Sequence, residues 1–324
     1  MVEAGVVWLV GQMARMVALT STYDVCTSEF RKTSKGSAER VPPQRDQRPG
    51  AGATFFKAHG HGNDYLVFPP GEDWMATSEA VRIVCDQHRG LGADGVVIVG
   101  GTQTHPTLRM FNPDGGEFER SGNGLRVAAL ALRRWDIAAS DTFVVGVGGG
   151  DVTLTVHGRG QEGAWDVAAE LGRARVGPEA VQMDVATLAA EALDFVAVSV
   201  GNPHVVVFTD DLSDTALHKL GPYLATHPAL ANGTNVQLAG MIEDGIRIRI
   251  WERGVGPTSA SGTSASAVAV AAVHSGRVEP GVHRIEMDGG EFTVAVDASL
   301  DVVLRGPIQE IAEGRLTGAF LEEL

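Results

Sequence analysis

The amino-acid sequence predicts an α/β (α+β) protein that is built from two pseudo-symmetric halves. From residue 54 onward, short runs of β-branched and aromatic residues are separated by glycine, which is typical of strands joined by turns. A strand–turn–strand unit lies between Phe55 and Phe68, and a second unit lies between Phe195 and Phe208, 140 residues later. Repeated landmarks at one offset indicate an internal duplication.

Individual elements follow from local composition. Each predicted strand is a short β-type run that ends near glycine, proline or asparagine. The predicted strands are 55–58, 65–68, 95–99, 108–111, 142–147 and 151–156. Val127–Trp135 is rich in alanine and leucine, so it is predicted to form a buried helix.

A serine precedes a helical segment in each half. Asn112 ends a strand nine residues before Ser121, and Glu252 ends a strand nine residues before Ser261. An Ala/Val-rich stretch follows each serine, so both serines are placed at the start of a buried helix. These landmarks also differ by 140 residues, which strengthens the case for duplication.

The repeat divides the chain into an N-terminal extension and two domains. Residues 1–53 carry seven Lys/Arg and five Asp/Glu, and their later part is rich in Ser, Pro, Gly and Arg. That composition predicts a disordered extension, or an artefact of an upstream start codon. The first domain is predicted at 54–177 and the second at 178–324. The site is expected in the cleft between the halves, because domain interfaces are favoured ligand sites.

Composition excludes several functions. With 40 acidic and 26 basic residues, the net charge is −14, which argues against nucleic acid or an anionic membrane as a partner. Two cysteines, Cys26 and Cys85, are too few for a disulfide framework or a cysteine-based metal site. No apolar run reaches the ~20 residues that a membrane span needs, so we expect a cytoplasmic protein. Neither a Walker motif nor a strand-linked G-x-G-x-x-G is present, which argues against a nucleotide cofactor.

The two helix starts are candidate anion sites. A helix N-terminus presents free N–H groups and a partial positive charge, so Ser121 and Ser261 lie where a carboxylate would be stabilised. The alternative is that both serines only cap their helices. The sequence leaves both interpretations open.

A set of polar residues at turns suits a small zwitterionic substrate. Arg253 can hold a carboxylate through two parallel hydrogen bonds, while His204 and Glu252 are candidate proton carriers. Turn chemistry alone also explains such residues when they are taken singly. The predicted substrate-binding residues are Asn63, Asn112, Gly122, Asn123, Asn202, Asn235, Arg253, Gly262 and Thr263.

These motifs closely resemble the diaminopimelate epimerase family. The matching segments are FKAHGHGNDYLVF (56–68), CDQHRGLGADGV (85–96), FNPDGGEFERSGNGLR (111–126), VGNPHVVVF (200–208), GTNVQ (233–237) and WERGVGPTSASGTSASA (251–267). The resemblance implies two halves, each a β-barrel-like sheet around a central helix, with the site between them. It also implies catalysis without metal or pyridoxal phosphate, in which two cysteines act as base and acid on opposite faces of the substrate α-carbon.

The sequence departs from the family at both cysteine positions, which are Ser121 and Ser261. A serine hydroxyl is a far weaker acid than a thiol, so its alkoxide is hardly available. An engineered double Cys→Ser variant would account for both serines. It would not account for Arg120 and Ser264, which also depart from the family pattern, so divergence is favoured.

The predicted function is a cofactor-independent proton-transfer isomerase. It is expected to shift a double bond on a small unsaturated, pyrroline-type amino acid, with Ser121, Ser261, His204 and Glu252 as the catalytic residues. This hypothesis follows a resemblance to the epimerase-like isomerases of 4-alkylproline biosynthesis in the lincosamide, pyrrolobenzodiazepine and hormaomycin pathways. The alternatives are a slow or inactivated diaminopimelate epimerase and a non-catalytic amino-acid-binding protein. A monomer or a homodimer is expected.

Overall fold

Seventeen strands and a few helices form the described part of the chain. The structure is a computed structural model, and it describes residues 53–71, 74–148, 150–160, 163–184, 194–230 and 232–324. The predicted N-terminal extension, 1–53, therefore lies outside the described residues except for Ala53. Within the described ranges, no helix has the length and apolar character needed to cross a membrane.

The first half contains nine strands and two helices. The strands are β1 (Thr54–Gly60), β2 (Asn63–Phe68), β3 (Val96–Thr102), β4 (His105–Phe111), β5 (Glu117–Phe118), β6 (Thr142–Val147), β7 (Gly150–Arg159), β8 (Trp165–Arg173) and β9 (Arg175–Val176). The helices are α1 (Ser78–Cys85) and α2 (Gly122–Arg134). Thr77 begins α1 by accepting a hydrogen bond from the Ala80 N–H, as an N-cap residue does.

The second half begins with a short 3₁₀ helix at Pro178–Val181 and then contains, among its described residues, eight strands and three helices. The strands are β10 (Phe195–Ser199), β11 (Pro203–Phe208), β12 (Asn235–Ile242), β13 (Gly245–Glu252), β14 (Gly256–Thr258), β15 (Gly281–Met287), β16 (Gly290–Val296) and β17 (Asp301–Arg315). The helices are α3 (Asp214–Ala225), α4 (Gly262–His274) and α5 (Gly318–Leu321).

Strand pairing confirms the predicted fold class and the duplication. In the first half, β1 and β2 are antiparallel, β2 and β3 are parallel, and β3 and β4 are antiparallel. In the second half, β10–β11, β11–β12 and β12–β13 repeat the same three relations. The parallel pair β4–β6 likewise has its counterpart in β13–β15.

The long strand β17 joins the two halves. It continues the second half through its pairing with β16, and it also pairs with β1 and β8 of the first half. The domain boundary at residue 177 stays a prediction. No feature of the sequence indicated that the last strand, β17, completes the sheet around the first half. Leu304, on this strand, is fully buried.

Helices α2 and α4 are buried inside the sheets rather than lying on the surface. All residues from Gly122 to Leu132 are buried in α2, and Ala265–Ala272 are completely inaccessible in α4. Such an enclosed position suits the apolar residues of both helices, and the buried polar side chain of Arg126 in α2 finds its hydrogen-bond partners inside the protein. Enclosure fixes the direction of each helix and hence the place of its N-terminal serine.

Candidate active site

A cleft of about 1300 Å³ lies between the two halves. Both N-cap serines, Ser121 and Ser261, line it. Most of the predicted site residues are brought together here, namely Asn63, Asn112, Ser121, Gly122, Asn123, Asn202, Glu252, Arg253, Ser261, Gly262 and Thr263. His204 and Asn235 are not among the residues that line it.

The two helix N-termini meet at one side chain. A Cβ atom added to Gly122 would lie 2.7 Å from Cδ2 of Leu304, and a Cβ atom added to Gly262 would lie at the same distance from that atom. Real Cβ atoms do not approach a carbon so closely, so a side chain at either position would force Leu304 to move. The predicted role of these glycines in substrate binding stays a prediction, whereas their role in bringing the helix ends together is visible.

Ser121 has both of its acceptor positions filled. Its Oγ accepts the Gly124 N–H at 3.1 Å, as an N-cap, and the Tyr65 hydroxyl at 2.9 Å. Burial raises the pKa of Tyr65 to about 12, although its hydrogen bond to Ser121 opposes this shift. The phenol is therefore a protonated donor near neutral pH. A serine hydroxyl can accept two hydrogen bonds and donate one. Only the donor of Ser121 remains unused, and Ser121 lines the cleft, so its proton is available to a ligand there.

Ser261 has different surroundings because it lies beside a carboxylate. Its Oγ is 3.4 Å from both the Ser264 N atom and Thr263 Oγ1, so it is the more loosely held of the two serines. Burial raises the pKa of Glu252, and the Ser261 hydroxyl, which donates toward the carboxylate, opposes that shift. An ionised carboxylate only accepts hydrogen bonds. Ser261 and Glu252 are thus neighbours on the second-half wall of the cleft.

A hydrogen-bonded chain orients the amides of the first half. Asn123 Nδ2 donates to Asn63 Oδ1 at 2.9 Å, and Asn63 Nδ2 donates to Asp94 Oδ2 at 3.1 Å. Behind them, Arg126 donates to Asn123 Oδ1 and to the Gly122 carbonyl oxygen. Arg126 is completely buried, which lowers its pKa to about 9. This buried guanidinium fixes which atom of Asn123 faces its neighbours.

In the second half, the side chain of Asn235 links the backbones of Arg253 and Pro203. Its Oδ1 accepts the Arg253 N–H at 3.0 Å, and its Nδ2 donates to the Pro203 carbonyl oxygen at 3.0 Å. The Arg253 side chain is exposed and donates to the Asn232 carbonyl oxygen at 2.7 Å. Asn235 is therefore placed to hold the Arg253 backbone, which differs from the expectation that it contacts the substrate.

His204 lies outside the cleft, which does not fit its predicted role as a proton carrier. It is completely buried, and burial lowers its pKa to about 3, so the imidazole is neutral near pH 7. Its Nε2 lies 2.9 Å from Asn202 Oδ1, while Nδ1 has no hydrogen-bond partner among the described residues. Because side chains alternate along a strand, the residue that follows Pro203 in β11 is turned inward. His204 is placed to orient Asn202.

A neutral buried histidine should make stability depend on pH. The unfolded chain takes up a proton at His204 below about pH 6.5, and the folded chain does so only near pH 3. The free energy of unfolding contributed by this group is therefore lost as pH falls between those values, at about 1.4 kcal/mol per pH unit. His204→Gln should lack this slope. Urea unfolding of both proteins at several pH values from about 5 to 7 measures the difference, and equal slopes would contradict the assignment.

Several cleft residues were not identified from the sequence. Tyr65 belongs to the first quoted motif, but nothing in its type distinguishes it from a core aromatic. Arg173 and Arg175 lie outside every quoted motif, on the segment that passes from the first half to the second. Among the described residues, no group of His, Cys, Asp or Glu has a geometry that could hold a metal ion.

Comparison with known proteins identifies the family. The family model described as diaminopimelate epimerase matches residues 55–176 and 196–310. The chain belongs to the diaminopimelate epimerase family. Its relatives include the diaminopimelate epimerase of Desulforudis audaxviator, which is 37% identical over 275 residues that cover 81% of this chain and 98% of the relative. These relatives are named diaminopimelate epimerase, and epimerases are a class of isomerase, which supports the predicted enzyme class in this general form.

Solved structures share the fold of this diaminopimelate epimerase family member. A hydroxyproline epimerase from Agrobacterium vitis, with bound trans-4-hydroxy-L-proline, superposes with a TM-score of 0.58 at 16% identity, over 82% of this chain and 92% of that one. A methylitaconate-delta-isomerase superposes with a TM-score of 0.59 at 14% identity, over 84% of this chain and 97% of that one. At such identities the likeness concerns the fold alone.

Proposed function

We propose that this protein is a cofactor-independent proton-transfer isomerase that acts on a small unsaturated, pyrroline-type amino acid. The observation that carries the proposal is the difference between the surroundings of the two helix-start serines. The Tyr65 hydroxyl donates to Ser121, whereas the carboxylate of Glu252 lies beside Ser261. Within the described residues, no thiol replaces the missing pair, because Cys85 is buried and does not line the cleft. Burial raises the pKa of Cys85 to about 12.

Glu252 is the proposed base. It lines the cleft, and its raised pKa makes it a better proton acceptor than an ordinary carboxylate. The C–H bond of an isolated amino acid is too weakly acidic for a carboxylate. Conjugation with a C=C or C=N bond delocalises the electron pair, and the C–H bond then becomes acidic enough. An unsaturated substrate therefore has a C–H bond acidic enough for the carboxylate of Glu252 to deprotonate.

The step is balanced without an oxidant or a second substrate. Glu252 removes a proton from the carbon next to the conjugated system, and the electron pair of that C–H bond spreads along the double bonds. The proton then returns to the far end of the conjugated system, which moves the double bond and restores the carboxylate. One base that removes and returns the proton suits a shift along one face of the substrate.

Ser121 supplies the opposing charge stabilisation. Because Tyr65 and Gly124 occupy both acceptor positions of Ser121, its hydroxyl proton points to the substrate, together with the N–H groups at the start of α2. Preorganised donors of this kind stabilise the negative charge that develops on a carboxylate or dienolate oxygen. Glu252 and Ser121 thus perform different functions in equivalent halves.

The direct test is incubation with a dienoic pyrroline amino acid in D₂O. A change in ultraviolet absorbance and uptake of deuterium are expected, and the absence of both would count decisively against the proposal. Tyr65→Phe should slow turnover about tenfold, since Ser121 is then free to turn its proton away, while binding changes little. An equal loss of binding would indicate that Tyr65 only supports the fold.

A second candidate is epimerisation of diaminopimelate, slow with serines or inactivated by Cys→Ser replacement. It is favoured by relatives that are named diaminopimelate epimerase and by the amides Asn63, Asn112, Asn123 and Asn202, all of which line the cleft. A role in antibiotic biosynthesis is part of the first proposal only, the isomerase. Genes for lysine biosynthesis beside the coding sequence would favour the second candidate instead.

A further inference from the structure

Three arginines on one wall of the cleft are not required by the proposed proton shift. Arg173 ends β8 and Arg175 begins β9, so both lie where the chain passes from the first half to the second. Arg120 lies directly before Ser121. All three line the cleft.

Two arginines of this wall come from the end of β8 and the start of β9. Arg173 and Arg175 line the cleft, while Ala174 between them is buried. Arg120 is held against the same segment, because its Nη1 donates to the Leu171 carbonyl oxygen at 2.7 Å. One donor of that guanidinium is used, and the remaining N–H groups are available to a ligand.

The charges on this wall lack internal compensation. Arg173 and Arg175 are exposed, and neither forms an ion pair or side-chain hydrogen bond with another residue in the described ranges. Elsewhere in the protein, exposed arginines such as Arg109 and Arg305 do pair with carboxylates. Four arginines face three acidic residues in the cleft, although the whole chain carries a net charge of −14. A local excess of positive charge in an acidic protein attracts an anion to that place.

Cleft size points in the same direction. Its volume of about 1300 Å³ lies above the usual range for small-molecule sites, which is roughly 300–1,000 Å³. A minimal pyrroline amino acid would fill only part of a cleft of this size. The substrate therefore has room for a side chain that extends toward this wall.

We propose that Arg120, Arg173 and Arg175 form a subsite for a second acidic group, a carboxylate on the side chain of the unsaturated amino acid. This inference rests on the proposed function, since the reacting end of the substrate must occupy the space between the serines. Guanidinium groups hold a carboxylate with paired, charge-assisted hydrogen bonds. The substrate class is then an unsaturated amino acid with a further acid group.

Calorimetry with three planar probes tests the subsite. The first probe is pyrrole-2-carboxylate, whose flat ring resembles the delocalised carbanion. The second carries an added carboxyethyl chain, and the third carries the neutral carbamoylethyl chain of the same size. The wild-type protein should bind the carboxyethyl probe at least about tenfold more tightly than the carbamoylethyl probe. In Arg173→Gln/Arg175→Gln this ratio should fall to about one, with the affinity for pyrrole-2-carboxylate unchanged.

The control is Arg82→Gln/Arg89→Gln, which removes the same charge from exposed residues outside the cleft. It should keep the wild-type preference, and a loss equal to that of the cleft variant would reduce the subsite to a long-range field and overturn it. Binding of all three probes with equal affinity would overturn the subsite and leave the proposed function intact. If pyrrole-2-carboxylate does not bind the wild-type protein and the dienoic substrate shows no turnover, the proposed function fails as well.

Discussion

Glu252→Gln is expected to reduce turnover of the pyrroline-type substrate by about 10²–10⁴-fold, because the amide cannot accept the proton. The substitution keeps the size of the side chain and an oxygen that can accept the Ser261 hydroxyl proton. Substrate affinity should therefore change little. Single-turnover kinetics with calorimetry of the same variant separates the two quantities.

Glu119→Gln is the matched control, since Glu119 also lines the cleft but lies on the exposed strand end before Arg120. It should retain nearly full turnover. Loss of binding in Glu252→Gln without loss of the chemical step would assign Glu252 to substrate binding, and wild-type turnover in that variant would remove it from the mechanism.

The pH profile gives an independent check on Glu252. A base must be ionised to act, and burial raises the pKa of this carboxyl above its ordinary value of 4.5. The value of kcat/KM should therefore fall as pH drops through a pKa that lies above 4.5, by a factor of ten per pH unit below it. Glu252→Gln should lose this inflection. His204, which stays neutral in the folded protein down to about pH 3, should not add a second inflection near pH 6.5.

Much of the fold could be predicted from the sequence because the duplication is visible in local motifs. The paired phenylalanines and the two serine-led helices mark equivalent positions in both halves, and the observed strand pairings repeat accordingly. Helix α2 begins at Gly122, directly after Ser121, as predicted, although only its part from Val127 onward is rich in alanine and leucine. Glycine and asparagine have low helix propensity, so the first turn forms only through the Ser121 cap and packing against Leu304.

The pairing of β17 with the first half could not be predicted in the same way. Its partners on β1 and β8 lie more than a hundred residues away in the chain, and no local pattern records such a contact. The sequence also does not indicate which side chains of a turn motif point into the cleft and which point into the core. Asn202 faces the cleft, whereas His204 is completely buried and does not line it, although both belong to the VGNPHVVVF motif.

Electrostatic partners in the site also depend on tertiary contacts. The polarity of Ser121 comes from Tyr65, which is 56 residues away, and the orientation of Asn123 comes in part from a buried arginine whose ring partner, Phe292, belongs to the other half. A residue type at a given position therefore predicted a candidate site. It did not predict that a tyrosine hydroxyl would bind Ser121 or that a carboxylate would lie beside Ser261.

Restoring both thiols should produce a new activity. In Ser121→Cys/Ser261→Cys, exchange of the α-hydrogen of diaminopimelate is expected at rates at least about 10³-fold above the wild type, because a thiolate is accessible near neutral pH and an alkoxide is not. Exchange measured in D₂O by proton magnetic resonance, together with chiral separation of the products, follows both proton loss and inversion. Comparable exchange by the wild-type protein would instead favour epimerisation as its present function.

The single variants decide whether the cleft still has the geometry of a two-base enzyme. Inversion needs one group to remove the proton and another, on the opposite face, to return one, so a lone thiol in Ser121→Cys or Ser261→Cys should yield exchange with little inversion. The gain in the double variant should thus exceed the combined gains of the single variants, as for residues that act as a unit. The shared contact of Gly122 and Gly262 with Leu304 keeps the two helix starts together, which is the condition for this cooperation. If the double variant only sums the single effects, the helix starts no longer address opposite faces of one carbon, and the one-face proton shift by Glu252 gains support.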